Sequence, residues 1–401
     1  MALITSLLIC LPFLLLLPLF LLLQKKKNVY KNPQLKKFPP SPPKLLLMGN
    51  LHQLGTPPHQ SLCQLSKKYG PVMLLHFGHV PALVISSAEA AKDALKTNDL
   101  HCCSRPSSAG ARRLTYNYLD IAFSPISKEL DDFFQQVIDN HLNPGRRVDD
   151  EQAHEDIVDV LLKIVKEQSE FGASHLGHNN IKAVLLDLFL AGIDSDAITM
   201  VWAMTELSKN PRLMKKAQEE VRKCVGNKGK VTETETDRLQ YLKMVIKETL
   251  SLHPPAPMIL PMETMSHCKI QGYDIDSKAL VLVNERAIGT DPEFWKDPEE
   301  FIPERFDGSS VDYKGQHFEF LSFGAGRRVC PGIYMGTTTV ELGLANLLYW
   351  FDWKLPDGMK EEDLDMEETS GTLSLTVSKR TPLNLIPEKI SQNLENNLIE
   401  D

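Results

Sequence analysis

The chain has 401 residues, enough for one large domain or two small ones, and 42% of them are hydrophobic, ample for a core. A formal net charge of −8 gives no electrostatic reason to expect nucleic acid. The seven cysteines (Cys10, Cys63, Cys102, Cys103, Cys224, Cys268, Cys330) are scattered, with no Cys-x-x-Cys and no His-Glu-x-x-His, which argues against a disulfide scaffold or a zinc site.

From Ala2 to Leu23 only Thr5 and Ser6 are polar. A helix of that length, roughly 33 Å, crosses a bilayer. No basic residue precedes the run and no small-residue cleavage site follows it, so a retained anchor is favoured over a cleaved signal peptide. Lys25-Lys26-Lys27 come directly after, which leaves the bulk of the protein on the cytosolic side. Phe38-Pro39-Pro40-Ser41-Pro42-Pro43 then reads as a stiff polyproline II spacer. The expected division is a membrane anchor over 1–24, a basic and proline-rich linker over 25–43, and a globular domain over 44–401.

Within that domain, strands are expected at Val72–His76, Ala82–Ser86 and Ala279–Val283. Ile181 to Lys209 has no proline and is apolar on nearly every face, so it should form a long buried helix. Asp187, Asp194 and Asp196 make it too costly as a second membrane span. Asn210-Pro211 should end it and start the next helix as N-cap and first position. Asp363, Asp365, Glu367 and Glu368 read as a solvated acidic face, and Ser391 to Asp401 as a fraying end.

The most informative stretch is Phe320-Leu321-Ser322-Phe323-Gly324-Ala325-Gly326-Arg327-Arg328-Val329-Cys330-Pro331-Gly332, ahead of an apolar helical run from Met335 to Trp350. A thiol at a helix N-terminus beside arginines should be pushed toward thiolate, the form that ligates iron. The glycines let the backbone pass close to a flat macrocycle, and Arg328 can reach a carboxylate on it. A dinucleotide loop fails here, because Val329 stands at the third glycine position and no acidic partner follows in a βαβ arrangement.

This loop resembles the haem-ligand loop of the cytochrome P450 family, Phe-x-x-Gly-x-Arg-x-Cys-x-Gly, met at Phe323, Gly326, Arg328, Cys330 and Gly332. Ala191-Gly192-Ile193-Asp194-Ser195 is similar to the family's oxygen-side motif, with Ser195 in place of the usual threonine. Phe301-Ile302-Pro303-Glu304-Arg305-Phe306 matches its Pro-Glu-Arg-Phe segment. The likeness is to plant microsomal members, judged also from His253–Pro257 and Cys330-Pro331-Gly332.

The resemblance implies a mainly α fold with a small β region, haem b ligated by a cysteine thiolate, and insertion of one oxygen atom from O2 into a small apolar substrate. Electrons would come from an NADPH-dependent reductase, with the chain in the endoplasmic reticulum membrane and its catalytic domain facing the cytosol. Cys330 would be the axial ligand, Arg328 a propionate contact, and Asp194 with Ser195 the proton relay. Glu248 and Arg305 would be structural, and Phe189, Ile193, Met258, Ile259 and Leu373 would line the substrate pocket.

Three departures from the family pattern carry consequences. The Glu-x-x-Arg expected before His253-Pro254-Pro255 reads Glu248-Thr249-Leu250-Ser251, which removes one cation of a buried triad and leaves Arg305 as the partner of Glu248. Met262 stands where the family has a propionate-binding arginine. Asp120–Pro125 looks like the lead-in to a Trp-x-x-x-Arg helix, but Glu129–Asp139 resembles a helix much further along, so several helices are expected to be missing between Pro125 and Ile126. The expectation is a P450-like fold lacking those helices, with activity impaired or lost. Two alternatives stay open: a non-catalytic, membrane-tethered remnant of the family, and an incomplete transcript.

Overall fold

The computed structural model describes residues 36–106, 128–143, 155–170, 177–370 and 375–390. The anchor over 1–24, the first part of the linker, the junction between Pro125 and Ile126, and Leu373 lie outside the described residues. Among the described residues no helix is long and apolar enough to cross a membrane.

The β region sits at the N-terminal end of the domain. After helix α1 (Pro58–Tyr69), strands β1 (Val72–Phe77) and β2 (Val80–Ile85) form a hairpin around Gly78-His79, with Val72 opposite Ile85. The short helices α2 (Ala88–Lys92) and α3 (Asp99–Cys102) follow. Further along come β3 (Met262–Glu263), β4 (Cys268–Ile270), β5 (Tyr273–Ile275) and β6 (Leu280–Val283). The main sheet has the order β1-β2-β6-β3, in which β2 and β6 run parallel and β3 returns antiparallel on β6. Leu83, Val281 and Val283 are fully buried, as expected for strands covered on both faces. The three expected strands are all present, displaced by one or two residues at their ends.

The helical body is built from α4 (Lys128–Leu142), α5 (Ile157–Glu170), α6 (His178–Lys209), α7 (Pro211–Val225), α8 (Glu233–Thr236), α9 (Gln240–Leu252), α10 (Glu285–Gly289) and α11 (Ile333–Trp350). One core joins α6, α7, α9 and α11 through Leu207, Val221, Leu242, Val245, Leu344 and Leu348. Each of these leucines is fully buried, worth roughly 1.5–3 kcal/mol apiece. Gly343 on α11 lets α6 approach, since a Cβ there would fall 2.7 Å from the sulfur of Met200. Three two-stranded ribbons complete the fold: β4 with β5, β7 (Phe351–Lys354) with β10 (Ile386–Lys389), and β8 (Glu368–Ser370) with β9 (Val377–Lys379).

Three local expectations are corrected. Helix α6 is buried over Trp202–Leu207 but leaves Phe189 and Ile193 exposed in its middle. Asn210 does not cap α7 with its side chain; its amide donates to Glu206 O at 2.9 Å and closes the end of α6 instead. Glu368 is not part of a solvated face, because it turns inward between His59 and His253.

Candidate functional site

The Cys330 loop hangs between the β region and α11. Gly326 has φ +68°, and a Cβ on it would lie 2.0 Å from Leu95 O, so only glycine fits where the loop crosses the α2–α3 segment. The Cys330 amide donates to Phe323 O at 2.8 Å, which closes the loop on itself. Phe323 packs against Tyr313 with ring centroids 5.3 Å apart. Gly332 follows as the residue before α11, its α-carbon side 3.7 Å from Cys330 Sγ, measured to an ideal Cβ.

The electrostatics differ from the sequence reading. Burial pushes the Cys330 thiol up, the Gly332 amide hydrogen bond opposes this, and the Asp196 carboxyl adds to the rise. The arginines do not offset it: Arg327 Nε pairs with Asp99 at 2.7 Å, and Arg328 Nε donates to Cys103 O at 2.9 Å. A bound cation such as iron would favour the thiolate at this position.

Arg328 does not stand alone. Arg105, which carried no recognisable motif in the sequence, donates through one guanidinium nitrogen to Leu260 O at 2.7 Å and Pro261 O at 3.0 Å. Its Nε is buried without a hydrogen bond. Burial and the neighbouring Arg328 lower its pKa to about 10. Two guanidinium groups held side by side, one with an orphaned donor, suit a carboxylate-bearing ligand next to Cys330. This pair would suit the propionates of a haem, and Cys330 is the sulfur donor the loop could offer its iron.

Across from the loop, α6 presents Gly192, whose ideal Cβ lies 3.5 Å from Met335 Cε. Met335, at the start of α11, thus spans the space between loop and helix with a flexible thioether. Asp194 is exposed, and Thr376 Oγ1 donates to its Oδ2 at 3.4 Å. Ser195 Oγ donates to Ala191 O at 2.6 Å, and α6 runs without interruption through Gly192, so the helix does not open there. Asp196, half-buried behind Gly336, has its pKa pushed up to about 6 by burial. Met258 and Ile259 line the β6 side: Ile259 N donates to Val283 O at 3.0 Å, and Met258 bridges Asn284. The structure therefore gathers Cys330, Arg328, Phe323, Gly326 and Gly332 in one loop. It brings Asp194, Ser195, Phe189 and Ile193 onto one helix opposite.

Behind the loop, Arg305 Nε donates to Glu248 Oε1 at 2.9 Å, and the Ile302 amide adds a second bond at 2.9 Å. Glu248 Oε2 is also 2.9 Å from Arg305 Nε, an ion-pair contact without hydrogen-bond alignment. The other guanidinium nitrogens of Arg305 bind Lys296 O, Asp297 O and Glu300 O, tying the segment before Pro303 to α9.

The family model described as Cytochrome P450 matches residues 39–125 and, in a second segment, 114–381. Among curated relatives, the Arabidopsis thaliana protein Cytochrome P450 71B34 is 43% identical over 476 aligned residues, covering 88% of this chain and 94% of its own length. Cytochrome P450 71B37 of the same plant is 42% identical over 499, covering 94% and 98%. Both alignments are longer than the 401 residues of this chain, so these relatives carry internal residues that it lacks. Among solved structures, a zebra fish cytochrome P450 determined with abiraterone superposes with a TM-score of 0.63 at 21% identity, over 83% of this chain and 100% of that one.

Proposed function

We propose a function from one premise: the chain belongs to the cytochrome P450 family. Membership implies a haem cofactor and monooxygenase chemistry, with a redox partner, an organic substrate and dioxygen in general. On this chain we assign Cys330 as the residue whose thiolate would hold the iron of haem b, with Arg328 and Arg105 as the groups that would meet its propionates. Phe323, Gly326 and Gly332 shape the loop that presents the sulfur. When bound, the haem supplies dioxygen activation, which a proximal thiolate favours by pushing electron density toward O–O cleavage.

The protein's own residues do the rest. Asp194 and Ser195 deliver protons from the α6 side, the carboxylate supplying and the hydroxyl orienting a water. The 3.4 Å contact with Thr376 holds Asp194 at the mouth of that side. Phe189, Ile193, Met258 and Ile259, with Leu373, form the apolar wall for a small substrate. Glu248 and Arg305 hold the core behind the loop.

Residues 1–24 anchor the chain in the endoplasmic reticulum membrane, 25–43 space it, and 44–401 form an incomplete haem domain in the cytosol that meets an NADPH-dependent reductase. The apolar run Ala2–Leu23 supports this, as does the exposure of Leu46, Leu47 and Met48 directly beyond the proline spacer. The observation that carries the haem reading is the closed Phe323–Gly332 loop beside two guanidinium groups.

A second reading, a non-catalytic tethered remnant, is favoured by alignments longer than the chain itself. Reconstitution of the purified full chain with haem and an NADPH-dependent reductase separates the two. Haem retention with turnover far below that of an intact relative is expected. Turnover at a relative's rate would remove the impairment, and a chain that never holds haem would leave only the remnant.

A further inference from the structure

Four ionisable side chains, Glu206 and His59 buried and His253 and Glu368 partly buried, form a line that neither the haem loop nor the proton relay uses. Glu206 on α6 accepts from His253 Nε2 at 2.8 Å. His253 Nδ1 lies 3.8 Å from Glu368 Oε1, an ion-pair distance rather than a hydrogen bond. The other oxygen of Glu368 meets His59 Nε2 at 2.9 Å and Gln60 Nε2 at 3.3 Å. The His253 ring stacks on Trp202, with centroids 3.9 Å apart and an interplanar angle of 1°.

Each member sits on a different element, and these elements converge on the substrate side. Glu206 follows Asp194 on the same helix. His253 opens the segment that continues through Met258 and Ile259. Glu368 belongs to β8, whose partner β9 donates from Val377 N to Pro255 O at 2.8 Å and continues from Thr376, the residue that meets Asp194. His59 belongs to α1, and its carbonyl accepts from Asn284 Nδ2 at 2.9 Å, beside the Met258 bridge.

We propose that His253 is a positioning residue: held between Glu206 and Glu368, it sets the distance between the helix that carries Asp194 and the two segments that carry Met258, Ile259 and Thr376. The role rests on the monooxygenase reading, since those residues matter only if they face a substrate. The charge pattern suits it. An imidazolium between two carboxylates and over an indole face is stabilised from three directions. Burial works against that charge, but Glu206 and Glu368 outweigh it and push the His253 pKa up. Burial likewise opposes the Glu368 charge, yet His253 and His59 hold its carboxyl well below the usual carboxylate range. Glu248 on α9 is a further charged neighbour and feels Glu206.

A structural salt bridge would only lower overall stability when broken, whereas a positioning residue controls particular segments through its proton. Hydrogen exchange of the full chain, corrected for intrinsic rates, reads this without haem. In the unmodified protein the amides of Ala256, Met258, Ile259 and Leu260 and of 375–380 should lose protection as pH rises through the His253 pKa, because the cation that holds them is lost. In Glu206→Gln that loss should move to lower pH by about one unit or more. His253→Gln should abolish the pH dependence and lower protection of both segments at least about tenfold, leaving 211–225 unchanged. Should His253→Gln fail to fold, the Glu206→Gln midpoint still decides. Equal loss across all segments, or an unmoved midpoint in Glu206→Gln, would overturn the proposal. A chain that holds no haem would sink the monooxygenase reading without altering these exchange results, so the two failures are distinguishable.

Discussion

Ser251 lies one helical turn beyond Glu248 on α9, and its hydroxyl donates to Gly289 O at 3.1 Å instead of reaching the carboxylate. Both oxygens of Glu248 lie 2.9 Å from Arg305 Nε, the hydrogen bond going to Oε1, which also accepts from the Ile302 amide, and no second cation reaches the buried Oε2. A buried carboxylate with a single guanidinium partner is costly, and removal of its charge is the cheapest relief. Burial accordingly pushes the Glu248 pKa up to about 7, the Ile302 amide and Arg305 opposing it only in part.

Ser251→Arg supplies the absent cation at i+3. The expected gain is roughly 1.5–3 kcal/mol in denaturant unfolding, the worth of a hydrogen bond to a charged group, together with higher haem occupancy after expression. Reductase-driven turnover should not return with it, since the missing internal residues remain missing. A variant no more stable than the parent would place the damage in the internal gap alone.

Glu248→Gln tests the same site through pH. The folded pKa lies above the unfolded value of 4.5, so this group's contribution is fully present below about 4.5 and is lost as pH rises through about 7. The parent should therefore lose on the order of 3 kcal/mol at most over that window from this group, and the glutamine variant should lack that component. Chemical denaturation at a series of pH values gives both slopes; equal slopes would contradict the assignment.

Gly326→Ala places a methyl against Leu95 O in a backbone conformation that favours glycine. A destabilisation of roughly 2 kcal/mol or more is expected, with loss of haem retention, because the loop must lift away from the α2–α3 segment. Thermal unfolding and haem content measured together check it. An unchanged midpoint would mean that the crossing is looser than the geometry requires.

The anchor reading predicts that the chain sediments with endoplasmic reticulum membranes and resists alkaline carbonate, while protease outside sealed vesicles digests everything beyond Lys27. Protection of the C-terminal domain would reverse the orientation.

Much of this was legible in the residues themselves. The Phe323–Gly332 spacing located the loop, long apolar stretches located α6 and α11, and short apolar runs located the three main strands. What escaped depends on contacts between distant segments. Arg105 has no motif around it and acquires meaning only from Arg328, far along the chain. Glu368 sits in an acidic run and looked solvated until His59 and His253 closed on it. In the protein alone burial holds the Cys330 thiol up, because both arginines of the loop turn to other partners, a choice that sequence proximity does not encode.

The reduced, carbon monoxide-treated spectrum of purified protein tests the haem-thiolate assignment most directly. Protein that retains haem should give the red-shifted Soret band of thiolate ligation. Cys330→Ala should lose that band, while Cys224→Ala, on the last turn of α7, should keep it. Persistence of the band in Cys330→Ala would show that another residue holds the iron and would contradict the assignment.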